Sequence, residues 1–405
     1  MDANLIILLG NDLKDPRKRT SRIKYSATEI LFMAFVSIVC GANDWYEMEE
    51  YSEVYIDYIR QYFPNLEKTP SHDTFRRFFS LLKPKIFEKA FRNWVKEYFP
   101  KPTGTLAIDG KAERGAAKND PELKASKDPS PLDIVSIWSK DMGLSLGQLQ
   151  VSEKSNEITA VPKLIKGMDL SGCVVTADAI NCQKSIADAI LKCGGDFLLA
   201  CKDNQAYLKG TAMNVFEQRE ENMRMAPDAK NWYHDFVSEN KGHGRIERRE
   251  VTAFGQPGGG DYFEHELEAP QPWKGIKALV RVRSTRTIVV TGETSTEDRY
   301  YLTSIKASEV ERIATSVRDH WSIENQLHWQ LDVTFREDDA KRIKNAALNF
   351  SLINKIVLSV IKRYKEISGE KKSMKILRKR ASIKFSFFTQ MLEMAVWNRP
   401  NTDES

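Results

Sequence analysis

The chain has 405 residues, is 41% hydrophobic and 29% charged, and carries a formal net charge of +5, a composition that supports a sizeable core and does not force disorder. So small a net charge does not by itself demand a nucleic-acid partner. Five cysteines, Cys40, Cys173, Cys182, Cys193 and Cys201, form no CxxC pair and point to a reducing compartment, while the apolar run at residues 30–42 is too short to cross a bilayer, so a cytoplasmic protein without membrane contact is expected.

Along the chain, "KDPRKRTSRIK" (14–24) opens with six basic residues against one acid. The first hundred residues then read as helices: Ala27 to Cys40, an acidic stretch from Asp44 to Phe63, a short helix in "PSHDTFRRFF" capped by Ser71 or Asp73 and presenting Arg76 and Arg77, and "KIFEKAFRNWVKEYF". From residue 103 the pattern changes. Leu106 to Ile108 forms an apolar strand with Asp109 at its end and Gly110 permitting a tight turn. "LDIVSIWSKDMGLSLGQLQV" gives two strands about a turn at Asp141 to Gly143, and "NEITAVPKLIKGM" a helix interrupted near Val161 by Pro162. "GCVVTADA" delivers Asp178 from a strand, a helix runs from Gln183 to Leu191, and "GDFLLACK" ends a further strand at Lys202. This alternation is that of an α/β core. Residues 228–304 are β-rich with glycines, as a separate inserted sheet would be. A long helix from Ala340 to Tyr364 follows, overlapped by a basic patch at 362–380 with nine Lys and Arg against two Glu. Both basic patches suit a phosphate backbone, and a solvated tail would read the same way.

The stretch "HWSIENQLHWQLDVTFREDD" (320–339) poses the central question. At helical spacing Val317, Trp321, Leu331 and Phe335 share one stripe, and Glu324 and His328 fall within it. An inward carboxylate needs a cation, a metal or a hydrogen-bond network, and a structural ion pair answers that need as well as a ligand role does. With Asp109 and Asp178 at strand ends, Glu324 makes a third acid, a set able to hold two divalent ions that act on a phosphodiester. Asp332 is the competitor for the third place. Lys202 is placed as a phosphate clamp, or as a salt-bridge partner of Asp203 or Glu157. The six histidines are too dispersed for a zinc site.

"AIDGK…RG" (107–115), "KSNEITAVPKLI" (154–165), "VVTADAINCQKSIADAI" (174–190), "LLACKDNQAYL" (198–208), "HGRIERR" (243–249) and "RDHWSIENQLHWQLDVTFREDDAKRIKNAALN" (318–349) closely resemble the ISAs1-type bacterial insertion-sequence transposases, the H-repeat-associated proteins of the DDE class. The resemblance covers nearly the whole chain. It implies a helical amino-terminal domain at 1–102, a ribonuclease-H-like α/β catalytic domain at 103–363 with the β-rich insertion at about 228–304 and the third acid on a helix at about 309–331, and a basic segment at 364–405. It also implies Asp109, Asp178 and Glu324 as catalytic metal ligands for Mg²⁺, with Mn²⁺ as substitute. By the same resemblance Lys111, Arg114, Lys202, Asn204, Gln205, His320, Asn325 and His328 become residues facing DNA; Arg318 is added to them, and Arg76 from the capped helix, for which a charged helix surface is the alternative. The partners so implied are double-stranded DNA, both element ends and target, and a second copy of the chain in a homodimer, in the bacterial cytoplasm with the nucleoid.

Two departures accompany it. A broader group of such transposases has Tyr, Arg and Lys around the third acid where this chain has Val317, His320 and Leu331, and "LDIVSIW" has Asp133 and Ile137 where the family has an "HLVSA"-like strand. A nuclease without strand transfer and a DNA-binding protein without catalysis are the alternatives. If the triad is real, the three carboxylates converge, and their mutual repulsion raises at least one pKa.

Overall fold

The computed structural model describes residues 5–18, 23–119, 132–151, 157–225, 227–242, 244–255 and 273–397. Contacts divide the chain into two compact units: Met1–Lys101 with Gly110–Lys154 and Ile323–Ser405, and Pro102–Asp109 with Ser155–Ser322.

The first unit begins with helices. Ser26 and Glu29 close a capping box at the start of Ala27–Val39, a helix apolar on nearly every side and therefore interior. Its C-terminal end is satisfied from far along the chain. The Arg378 guanidinium donates to the carbonyls of Ile38, Ala42 and Thr334 and to the Asn43 side chain. Burial lowers the Arg378 pKa to about 10. Arg378 is only 4% exposed and Lys362 9%, so the 362–380 patch is not the continuous basic surface that its sequence suggests. The helix His72–Leu81 forms where expected and presents Arg76 and Arg77, each paired with Asp73, but Ser71 makes no side-chain capping bond.

Strand β1 (Gly104–Glu113) runs unbroken through Gly110, so the expected turn is absent and Asp109 lies within the strand. β2 (Leu132–Ser139) and β3 (Leu144–Gln150) form an antiparallel hairpin about Gly143, whose φ of +60° suits glycine. The long helix Lys344–Ser368 is bonded to this hairpin: Lys355 Nζ donates to Ser136 Oγ at 3.0 Å and to Gln148, and Gln148 Nε2 donates to the Leu348 carbonyl at 3.0 Å.

In the second unit, β4 (Cys173–Ala177), β5 (Asp196–Cys201), β6 (Tyr233–Gly242), β7 (Arg245–Phe254), β8 (Ala278–Ile288) and β9 (Thr294–Thr303) join the first part of β1 in the order β1-β4-β5-β9-β8-β7-β6. β1, β4 and β5 are parallel, and β9 joins them antiparallel through Leu199↔Leu302 and Cys201↔Tyr300. The β-rich stretch therefore extends the core sheet instead of forming a separate one. Its apolar face packs with Val310, Ile313 and Val317 of the helix Val310–His320. The helix Glu157–Ile165 continues through Pro162, contrary to the expected interruption. A helical amino-terminal region followed by a mixed sheet with flanking helices is a ribonuclease-H-like α/β fold carrying insertions.

Candidate active site

The site grows from two parallel strands. β1 and β4 pair in the register Ile108↔Ala177, so Asp109 and Asp178 are the next residues along each, on neighbouring strands about 5 Å apart. Val174 and Thr176 of β4 and Asp178, the still-extended residue just beyond it, share one face by the two-residue period of a strand. That face meets a helix stripe of Val310, Ile313, Val317 and His320, apolar below and polar at the top. At the top the imidazole bridges the strand: His320 Nδ1 lies 3.0 Å from Thr176 Oγ1 and Nε2 lies 3.2 Å from Asp178 Oδ1. Thr105 Oγ1 donates to Ser316 Oγ at 3.2 Å one turn earlier, a second polar stitch between sheet and helix.

Asp178 remains half-exposed, and the His320 hydrogen bond holds its carboxyl below the usual range, against the upward push of burial and with help from the charges of Lys202 and Arg299. The upward shift expected from a repelling carboxylate cluster is not what Asp178 shows. Lys202 is exposed just beyond β5, where the sequence places it. Arg299 on β9 was not among the sequence candidates. Its guanidinium lies 5.0 Å from the Trp321 ring and pairs with Glu297 at 2.9 Å. The signal was present in the alternation Glu297, Arg299, Tyr301, but it identifies a site only once β9 is known to lie beside β5. Thr176, which orients His320, was missed in the same way.

Asn204 and Gln205 hold the loop after Asp178 in place. Asn204 Nδ2 donates to the Ala179 carbonyl at 2.7 Å and Gln205 Nε2 to the Cys182 carbonyl at 2.9 Å, while buried Asn181 donates to Glu157 at 2.9 Å. Both amides act on the loop's backbone in the structure, where the resemblance had them facing DNA. Asp203 pairs with Lys209 at 2.8 Å, leaving Lys202 the more open cation of that loop. Arg318 is exposed on its helix.

In the first unit, Glu324 is exposed and not turned into the apolar stripe. Trp321, expected inside, is 41% exposed. The regular helix ends at His320, and Glu324–His328 is a π-helical turn in which the Trp329 N–H donates to the Glu324 carbonyl, so one 3.6-residue period does not run through the stretch. The buried residues are Ile323, Leu327 and Leu331, with Asn325 exposed and His328 half-buried.

Lys111 also departs from expectation. Its side chain is 9% exposed and makes ion pairs with Asp332 at 2.8 Å, Glu337 at 3.6 Å and Asp338 at 3.7 Å. Burial would lower its pKa, but Glu337, Asp332 and Glu113 raise it well above the usual lysine range. Lys111 is therefore an interior cation and Asp332, the competitor for the third ligand, is its counter-ion. Arg114 is exposed, its backbone N–H donating to Asp338 at 3.3 Å. Among the described residues, no group of three or more His, Cys, Asp and Glu side chains stands close enough to hold a metal ion.

Residues 106–360 match the family model described as "Transposase DDE domain", and residues 11–95 match the model of the region associated with it. The chain belongs to the DDE transposase family. The transposase is 33% identical over 349 residues to YhhI of Escherichia coli K12, covering 85% of this chain and 87% of the relative, whose name carries the words "H repeat-associated". It is 33% identical over 345 residues to YbfL of the same strain, covering 84% and 86%. It is also 32% identical over 388 residues to YncI of Escherichia coli O157:H7, a transposase in name, covering 93% and 91%. These relatives place the transposase in the H-repeat-associated group.

Proposed function

We propose that the protein cuts phosphodiester bonds at the ends of its own element and transfers the freed 3′-hydroxyl to target DNA, as an ISAs1-type transposase. The observation that carries this reading is the pair Asp109, on β1, and Asp178, the residue after the parallel neighbour β4, the second held ionised by His320 with Lys202 and Arg299 nearby. Side-by-side carboxylates are hard oxygen donors that fit Mg²⁺ or Mn²⁺, ions that keep water and substrate phosphate among their ligands, and Glu324 is the third ligand in this reading. When bound, the ion supplies charge that activates the attacking hydroxyl and offsets the negative charge gathering on phosphorus.

The chain's own residues do the rest. Asp109 and Asp178 serve as ligands, His320 fixes the rotamer of Asp178, and Lys202 and Arg299 draw the scissile phosphate toward them. In the first step a water oxygen attacks phosphorus and the bond to the 3′-oxygen breaks, that oxygen leaving with a proton. In the second step the 3′-hydroxyl attacks a target phosphodiester and expels its 3′-oxygen. Arg76, Arg114, Arg318, Asn325 and His328 remain proposed contacts to double-stranded DNA. The assembly proposed is a homodimer in the bacterial cytoplasm with the nucleoid. The functional division is proposed as a helical domain at 1–102, a catalytic domain at 103–363 and a basic segment at 364–405. Among the described residues no helix is long and apolar enough to cross a membrane.

The test is cleavage and joining of end-repeat DNA with Mg²⁺ or Mn²⁺ by the parent, Asp178→Asn and Glu324→Gln proteins. Loss of both products in both variants supports the reading. A Glu324→Gln protein as active as the parent removes Glu324 from the site, and cut ends that never join make the protein a nuclease.

A further inference from the structure

By strand alternation Asp109, Lys111 and Glu113 lie on one face of β1, yet their environments differ. Asp109 is partly accessible, whereas Lys111 and Glu113 enter a buried network with Asp332, Glu337, Asp338, Arg342 and Lys355. Several features of the first unit close that network. Gly115 lies so near the turn Glu337–Asp339 that a Cβ would stand 2.6 Å from the Ala340 carbonyl and 2.8 Å from that of Glu337. Arg336, before that turn, takes a left-handed φ of 53°, a conformation that strains a residue with a side chain. Glu337 consequently faces inward at 2% exposure, where Asn354 Nδ2 donates to it at 3.0 Å. So much local constraint for one turn implies a required position.

The network joins two particular stretches of chain. One follows Asp109 by two residues, and the other begins with Asp332, eight residues after Glu324 and one turn beyond the π-helical segment. We propose that Lys111 is a positioning residue of the transposase: by its ion pairs to Asp332, Glu337 and Asp338 it fixes the continuation of β1 to the helix end downstream of Glu324, and so steadies the two segments that carry the first and third acids. This rests on the proposed function above. It gives Lys111 a role other than the phosphate contact implied by family resemblance, and the two roles predict different measurements. A phosphate contact acts on affinity and on its salt dependence. A positioning residue acts on the rate of the bound complex, because displacement of reacting groups by about 1 Å costs about 100-fold.

The experiment compares the parent with Lys111→Met, Lys111→Arg, Asp332→Asn and the double variant Lys111→Met with Asp332→Asn. Single-turnover cleavage of an end-repeat duplex, the dissociation constant for the same duplex across a salt series, and thermal melting are measured for each. The expected result is a Lys111→Met cleavage rate about 10- to 100-fold lower, with affinity within about twofold and the salt slope unchanged. Asp332→Asn alone is expected to give a similar loss, the double variant no more than either, and Lys111→Arg a partial rescue. Three outcomes overturn the proposal. One is a Lys111→Met protein that cleaves at the parent's rate. Another is weaker DNA binding with a salt slope reduced by about one, which marks a phosphate contact. The third is a rate that recovers fully at temperatures well below each variant's melting point, which marks a role in stability alone. A parent that binds end-repeat DNA but neither cuts nor joins it defeats the proposed function itself, and is read from the parent before any variant.

Discussion

Two charged clusters, one in each unit, use their charges differently. Around Asp178 the ionised groups stay in reach of solvent: the carboxylate is half-exposed, Lys202 is open, and the imidazole of His320 holds one rotamer. Around Glu337 the groups are sealed in, and each charge is answered by another. Glu113 is pushed up to about 8 by burial and by the Glu337 charge, while Lys355 is lowered to about 8 by burial against the pull of both glutamates. With Glu113 protonated at neutral pH, Asp332, Glu337 and Asp338 are left facing Lys111, Arg342 and Lys355. Charge left unmatched at the surface is available to a substrate; charge matched inside is available only to the fold.

The sharpest way to break this comparison is to remove one acid from each cluster. Asp178→Asn is expected to lower end cleavage at least about 1000-fold, in line with losing a main electrostatic element of a site, while chemical denaturation shifts by less than about 1 kcal/mol. Glu337→Ala is expected to do the opposite in kind, destabilising the fold by about 3–5 kcal/mol in the same denaturation experiment because it strands buried cations. If Glu337→Ala proves as stable as the parent, the interior network is not the brace described. A smaller effect should follow from His320→Ala, with cleavage slowed about 10- to 100-fold because Asp178 loses the group that orients it. His320→Gln should recover part of the rate, since its amide can still donate to the carboxylate.

The mildest test is the response to pH. Glu113 has a folded pKa raised from 4.5 to about 8, so the stability it contributes is complete below about 4.5 and is lost as pH rises through about 8. Melting temperatures of the parent should therefore decline between those values relative to Glu113→Gln, which mimics the protonated form throughout. Asp178 has the reverse sign. Its folded pKa is depressed, so its contribution is present above the unfolded value of 3.8 and is lost only in stronger acid, as pH falls through the folded value. Parallel melting curves for parent and Glu113→Gln across the neutral range would show that Glu113 ionises freely.

Much of this was legible in sequence because it depends on short-range pattern. Asp178 follows an apolar pentad that can only be a buried strand, Lys202 follows another, and the hairpin about Gly143 is written in its turn residues. The failures occurred where a local rule met a long-range partner. Lys111 and Arg378 read as surface cations because nothing near them in sequence announces the carboxylates or carbonyls, more than 200 and 300 residues away, that receive them. That Asn204 and Gln205 hold a loop over 20 residues earlier was likewise not to be read from their neighbours in sequence. Glu324 was placed inward by a uniform helical period. The β-rich stretch read as an independent sheet because pairing of β9 with β5 leaves no trace in either strand alone.

The π-helical turn at Glu324–His328 carries an allowance that no substitution can express. A turn closed by an i→i+5 bond holds one residue more than an ordinary turn in nearly the same rotation. Deleting one residue inside it would restore the ordinary winding and leave the helix beyond it in phase, so Leu331 would stay in the core and Asp332 would keep its place beside Lys111. The same deletion in the ordinary turn that follows has no surplus to absorb it, and would rotate the later side chains by about 100°. The surplus residue thus makes the turn more tolerant of a single-codon loss than the helix on its far side.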